Sequence, residues 1–146
     1  LIMRSHIRNI SREQLVTVVV NAVRKARVEI IATDHFNEST LPALYATALE
    51  KKVAERVRCH RVAFIAKKLT EQGKHILAKY PGSTRTLFDS TKEQRLILID
   101  RKQLFWSNDN QAFPLEFETN DPAIIAAAQH YFNALWKKGR PLRFRL

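Results

Sequence analysis

The residues best placed to do chemistry lie between Glu93 and Asn110, in E-Q-R-L-I-L-I-D-R-K-Q-L-F-W-S-N-D-N. Glu93, Arg95 and Asp100 put two carboxylates and a guanidinium on one short stretch, and Asn108 and Asn110 add amides a few residues later. An arginine with amides beside it suits a small anionic or sugar-like ligand, gripped through charge-assisted hydrogen bonds. The same arginine can instead pair with Glu93 or Asp100 and simply close the end of a sheet. Asp34, His35 and Asn37 form a second candidate group, in a polar loop after an apolar run. Ligands of open α/β sheets bind beyond the carboxyl ends of the strands, where such a loop would lie. His35 reads equally well as a surface loop histidine. Cys59 adjoins His60, but one Cys-His pair does not make a zinc site and reads as structural. The expectation is no metal and no cofactor.

The elements that must position these residues follow from periodicity. Leu96 to Ile99 is a branched apolar run, expected as a strand buried on both faces. Asp100, Arg101 and Lys102 break it, Gln103 to Trp106 forms a second strand, and Ser107 to Asn110 turns. The pair is a hairpin at the centre of a sheet, with Asp100 at its tip. Upstream, Ser11 and Gln14 have capping-box spacing for a helix to Ala26. Val28 to Thr33 is a strand. Ser39 or Thr40 caps a helix, with Pro42 in its first turn, that ends near Val57. A strand from Arg61 to Ala66, a helix from Lys67 to Lys79 interrupted by Gly73, and a strand from Thr84 to Phe88 lead to the hairpin. Phe113 to Glu118 alternates and carries Pro114, as an edge strand does. Asp121, Pro122 and Gly139 bound a final helix. Trp106 and Trp136 fall on apolar stripes and are assigned to the core.

Glu93, Arg95, Asp100, Ser107, Asn108 and Asn110 carry a resemblance. With Asp100 laid on its aspartate, the stretch resembles the signature of the phospholipase D superfamily, H-x-K-x-x-x-x-D followed by a G-S-x-N turn. Glu93 then stands for the histidine and Arg95 for the lysine. Ser107 and Asn108 stand for the glycine and serine, and Asn110 for the asparagine. The resemblance implies a single α/β domain, a mixed sheet flanked by helices, over residues 11–139. Residues 1–10 are a lead-in or linker and residues 140–146 a basic tail. A glutamate at the histidine position cannot form the phospho-histidine intermediate of that chemistry. The reading is therefore a non-catalytic ligand-binding or dimerisation domain. It is similar to the effector-binding domains of TrmB-type transcription regulators, which follow a DNA-binding helix–turn–helix. The lead-in R-S-H-I-R-N-I suits a domain placed after such a segment. The alternatives are a nuclease or phosphodiesterase with an altered site, and a basic nucleic-acid-binding accessory domain. Family members pair two such units, so a homodimer is expected, with Arg95 and Asp100 of the two copies close together.

The 146 residues carry a net charge of +11. From Lys51 to Lys79 there are nine bases and two acids; after Asp121 there are five bases and no acid. Lys51, Lys52, Arg56, Arg58, Lys67 and Lys68 are the candidates for nucleic-acid contact. No apolar run spans a bilayer. The single cysteine excludes an internal disulfide, and a cytoplasmic location is expected.

Overall fold

The computed structural model describes residues 4–36, 42–66, 68–88, 94–107 and 116–142. The chain runs β1 (Ile7–Asn9), α1 (Arg12–Lys25), β2 (Glu29–His35), α2 (Ala43–Ala54), β3 (Arg58–Ile65) and α3 (Glu71–Ala78). It continues β4 (Ser83–Phe88), β5 (Arg95–Ile99), β6 (Gln103–Ser107), β7 (Phe117–Thr119), α4 (Pro122–Lys138) and β8 (Arg140–Pro141). This is the expected order, with a short strand added at each end.

The strands form one mixed sheet in the order β1-β7-β6-β5-β2-β3-β4-β8. β2 lies between β3, which is parallel to it, and β5, which is antiparallel. Strands buried on both faces need continuous apolar sequence, and Ile30–Ala32, Val62–Ile65 and Leu96–Ile99 supply it. Alternate residues then serve two cores. On one face Ile30, Ala32, Ile97 and Phe105 pack against Leu15, Val19 and Val23 of α1 and Leu49 of α2. On the other, Ile31, Val62 and Leu98 pack against Ile125, Phe132 and Leu135 of α4. Full burial of each such side chain stabilises by roughly 1.5–3 kcal/mol.

Local chemistry sets several ends. The Thr70 hydroxyl accepts from the Gly73 N–H, so Gly73 belongs to the first turn of α3 and does not interrupt a helix. Asp121 caps α4 by accepting from the Ile124 N–H, with Pro122 first in the helix. α2 ends at Ala54, short of Val57, in a reversal with Arg56 at φ 67°. There the Arg56 N–H reaches the Val53 carbonyl and the Val57 N–H reaches that of Lys52. That is the Schellman pattern with an arginine where glycine is usual.

Other expectations are corrected. The Ser11 side chain makes no cap hydrogen bond, so the capping box does not form. β2 runs on to His35, which puts Asp34 and His35 inside a strand, not in a loop. The lead-in contains β1, and β1 pairs with β7. β7 is therefore an inner strand, and the outermost position expected for it belongs to β1. The start of the basic tail pairs with β4 as β8. Ser39 and Thr40 lie outside the described residues, as do Phe113 and Pro114.

Candidate functional site

The site forms at the carboxyl end of β2. Ala32 pairs with Arg61 of β3 on one side and with Ile97 of β5 on the other. Residues two along a strand share a face, so Asp34 projects beside Arg61 and Arg95. The Arg61 Nη1 donates to Asp34 Oδ2 at 3.3 Å. Arg61 is 4% exposed, and its guanidinium lies over the Tyr80 ring, 3.7 Å from the centroid. Tyr45 and Tyr80 stand close enough for each phenol to influence the other. Burial holds both phenols neutral: it raises Tyr45 well above the usual tyrosine range and is the main cause that pushes Tyr80 up to about 12.

Arg95 is fixed through its neighbours. The Thr33 hydroxyl donates to the Gln94 carbonyl and accepts from the Leu96 N–H, tying the start of β5 to β2. The Gln94 N–H donates to the Tyr131 hydroxyl. Burial lowers the Arg95 pKa from its ordinary value, and the Asp34 carboxylate opposes that shift.

Asp34, Arg61, Arg95 and Tyr80 border a cavity of about 520 Å³ between the sheet and α1, α2 and α3. Its other walls include Leu15, Val19, Phe36, Ile76 and Ile97, with Glu50 and Lys79 also on the lining. Among the described residues nothing accepts from Arg61 Nε or Nη2, and nothing donates to Asp34 Oδ1. Each such buried group costs about 1–3 kcal/mol unless a ligand or solvent satisfies it. His35 borders the cavity too, but its ring leans on Phe64, 5.0 Å away, a residue of the opposite core.

Two of the expected cleft residues, Asp34 and Arg95, therefore meet. Asp100 does not join them. It sits at the other end of β5, roughly 17 Å along a five-residue strand. Its Oδ1 accepts from the Val28 and Glu29 N–H groups and its Oδ2 from that of Arg27. Desolvation alone would raise its pKa; the three backbone donors outweigh it and hold the carboxyl below the usual range. Asp100 thus fastens the hairpin turn to the start of β2. Within one chain Arg95 and Asp100 stand at opposite ends of β5, so a twofold contact between them would have to set the Arg95 end of one copy against the Asp100 end of the other. Glu93, Asn108 and Asn110 lie outside the described residues.

Arg61 was missed as a site residue because it was read as the first residue of a strand. The signal was there: once the strand begins at Arg58, alternation puts Arg61 on the inner face between Cys59 and Ala63. Cys59 itself is buried, with its thiol pushed up to about 11 by desolvation, and so is inert. Among the described residues no three His, Cys, Asp or Glu side chains gather as a metal site.

The basic candidates do not form one surface. Lys52 is buried, its Nζ bonded to the Ala26 carbonyl and to Glu55. Lys51, Arg56 and Arg58 are exposed near the Asp100 end of the sheet. Arg58 lies 3.7 Å from Glu29, whose other oxygen accepts from Arg101. Lys68 follows the far end of β3, an eight-residue strand about 25 Å long. Lys67 is outside the described residues.

The architecture is that of phospholipase D-like domains. Nuc from Salmonella typhimurium, a phospholipase D family member, superposes with a TM-score of 0.71 over 97% of this chain and 100% of its own, at 16% identity. NucT from Helicobacter pylori gives 0.68 over 94% and 98%, also at 16% identity. TrmBL2, an archaeal chromatin protein with a novel mode of DNA binding, gives 0.62 at 17% identity over 94% of this chain and 54% of its own. No family model and no curated protein sequence matches the chain.

Proposed function

We propose that the chain is a non-catalytic phospholipase D-like domain that binds a small ligand, as the sensing or dimerising part of a DNA-associated regulatory protein. The observation that carries this is Asp34 placed beside Arg61 and Arg95 at one end of an otherwise largely apolar cavity of about 520 Å³. A few convergent polar groups in an apolar pocket are what small-molecule sites consist of. Catalysis of the superfamily kind needs a nucleophile. The glutamate at position 93 does not serve, and an arginine at position 95 holds its proton throughout the physiological range. The regulatory role is supported by the charge of +11 and by the likeness to a DNA-binding chromatin protein.

The test is turnover of bis-p-nitrophenyl phosphate, set beside saturable binding of small ligands followed by calorimetry. No turnover with saturable binding is expected. Turnover that survives repurification and disappears in Arg95→Ala or His35→Ala would replace this reading with the phosphodiesterase one. Asp100→Ala is unsuited to that role, because Asp100 holds the fold together far from the cavity.

A further inference from the structure

We infer that the cavity ligand is a carboxylic acid with a hydrogen-bond donor on the adjacent carbon and an apolar body: a hydroxy acid or amino acid with a large side chain. The inference rests on the ligand-binding reading above and deepens it. Arg61 commits only Nη1 to Asp34. Its Nε and Nη2 are left over, and together they form the guanidinium edge whose parallel N–H groups fit a carboxylate in bidentate fashion. Tyr80 beneath the plane keeps that edge oriented. Asp34 Oδ1 also has no donor among the described residues, and it belongs to the carboxylate already touching Arg61. Each of the three atoms is covered by its neighbours, and once the side chains turn to expose them one ligand carboxylate and one neighbouring O–H or N–H would satisfy all three.

The charge balance selects a carboxylate over a doubly charged phosphate. Among the described residues the lining has Arg61, Arg95 and Lys79 against Asp34 and Glu50, an excess of one positive charge. A hydroxy acid, as a monoanion, neutralises it and an amino-acid zwitterion leaves it unchanged, whereas a dianion would leave a net negative charge beside Asp34. The rest of the ligand faces Leu15, Val19, Phe36 and Ile97, which offer a sugar ring few hydrogen bonds. The volume of about 520 Å³ admits a body of aromatic amino-acid size.

The experiment titrates the 146-residue chain with phenyllactate, L-phenylalanine, hydrocinnamate and L-phenylalaninamide. Hydrocinnamate lacks the neighbouring donor and phenylalaninamide lacks the carboxylate. At least one of the first two should bind about tenfold or more tighter than phenylalaninamide, with hydrocinnamate between. The stronger of the two tells a hydroxyl from an ammonium at Asp34. Arg61→Lys removes the fork, and binding of the acids should weaken by about tenfold or more. The inference is overturned if phenylalaninamide binds as well as the acids, if no acid binds at millimolar concentration, or if Arg61→Lys changes nothing. Should Arg61→Lys not fold, the acid–amide comparison on the unaltered chain decides alone. Binding of trehalose without binding of the acids overturns the ligand class and leaves the ligand-binding reading intact. Phosphodiester turnover overturns that reading itself.

Discussion

At single positions, the informative residues are those whose role changed between sequence and structure. Asp100 looks like a cleft carboxylate because it is the conspicuous acid after an apolar run; its actual partners are backbone N–H groups some 71–73 residues away, which no local pattern announces. Asp100→Ala should lower stability by roughly 2–3 kcal/mol, read from urea unfolding at pH 7. The folded pKa is depressed, so this contribution is complete above the unfolded value of about 4 and is lost as pH falls through the folded one. The gap between Asp100→Asn and the unaltered chain should therefore close in strong acid; a gap that widens there would contradict the assignment. Backbone conformation makes two opposite predictions. Arg56 stands at φ 67° in the reversal after α2, where glycine is unstrained, and Arg56→Gly should stabilise by about 1 kcal/mol. Gly82 has φ 91°, and a Cβ there would lie 2.3 Å from the Cys59 carbonyl oxygen. Gly82→Ala should cost more than about 2 kcal/mol, seen as a large drop in Tm.

Among the elements, long periodic segments were legible and their ends were not. The hairpin of β5 and β6 appears within one residue of its expected limits, because its apolar run is bounded by residues that cannot continue it. β2 was cut short at Thr33 because Asp34 and His35 look like loop residues. In the sheet they pair with Ala63 and Phe64, and the polar side chain of Asp34 finds Arg61 across the ladder. That cut kept Asp34 as a candidate but concealed its partner across the ladder. β7 looked like an outermost strand because its partner β1 is three residues of mixed character, too short to show a period. β1 is held by Glu118, which is 1% exposed and accepts from His6 Nε2 at 2.8 Å, from Arg8 Nε at 2.6 Å and from Gln103 Nε2 at 3.4 Å. His6 and Arg8 are solvent-facing, so Glu118→Ala should cost a modest ~1–3 kcal/mol. Hydrogen exchange should show the loss first in the amides of Ile7–Asn9, with β2 and β3 still protected; uniform loss would mean that Glu118 supports the whole sheet.

For the whole molecule, charge and assembly are read from salt dependence and mass. Among the described residues no helix is long and apolar enough to cross a membrane. If the positive charge serves DNA, the cluster of Lys51, Arg56 and Arg58 offers about three phosphate contacts, since Lys52 is turned inward. Binding to duplex DNA should then follow a log–log salt slope near −2.7, and the triple alanine variant should flatten it. No binding at low salt would leave the charge without that role. A twofold pair that shares the Arg95 end of the sheets would sediment at about twice 16.9 kDa at micromolar concentration and be weakened by Arg95→Glu. A mass that stays near 16.9 kDa would reject the pair.

The clamp between His6 and Glu118 joins residues 112 apart. Read in time instead of space, that separation orders events during synthesis. β1 leaves the ribosome before β7, which follows only ~6–22 s later at ordinary elongation rates of about 5–20 residues per second. Through that interval β1 has no strand to pair with. Among the described strands of the sheet β1 is thus made before the others and is among the last to dock, and the margin it covers closes only when β7 is complete.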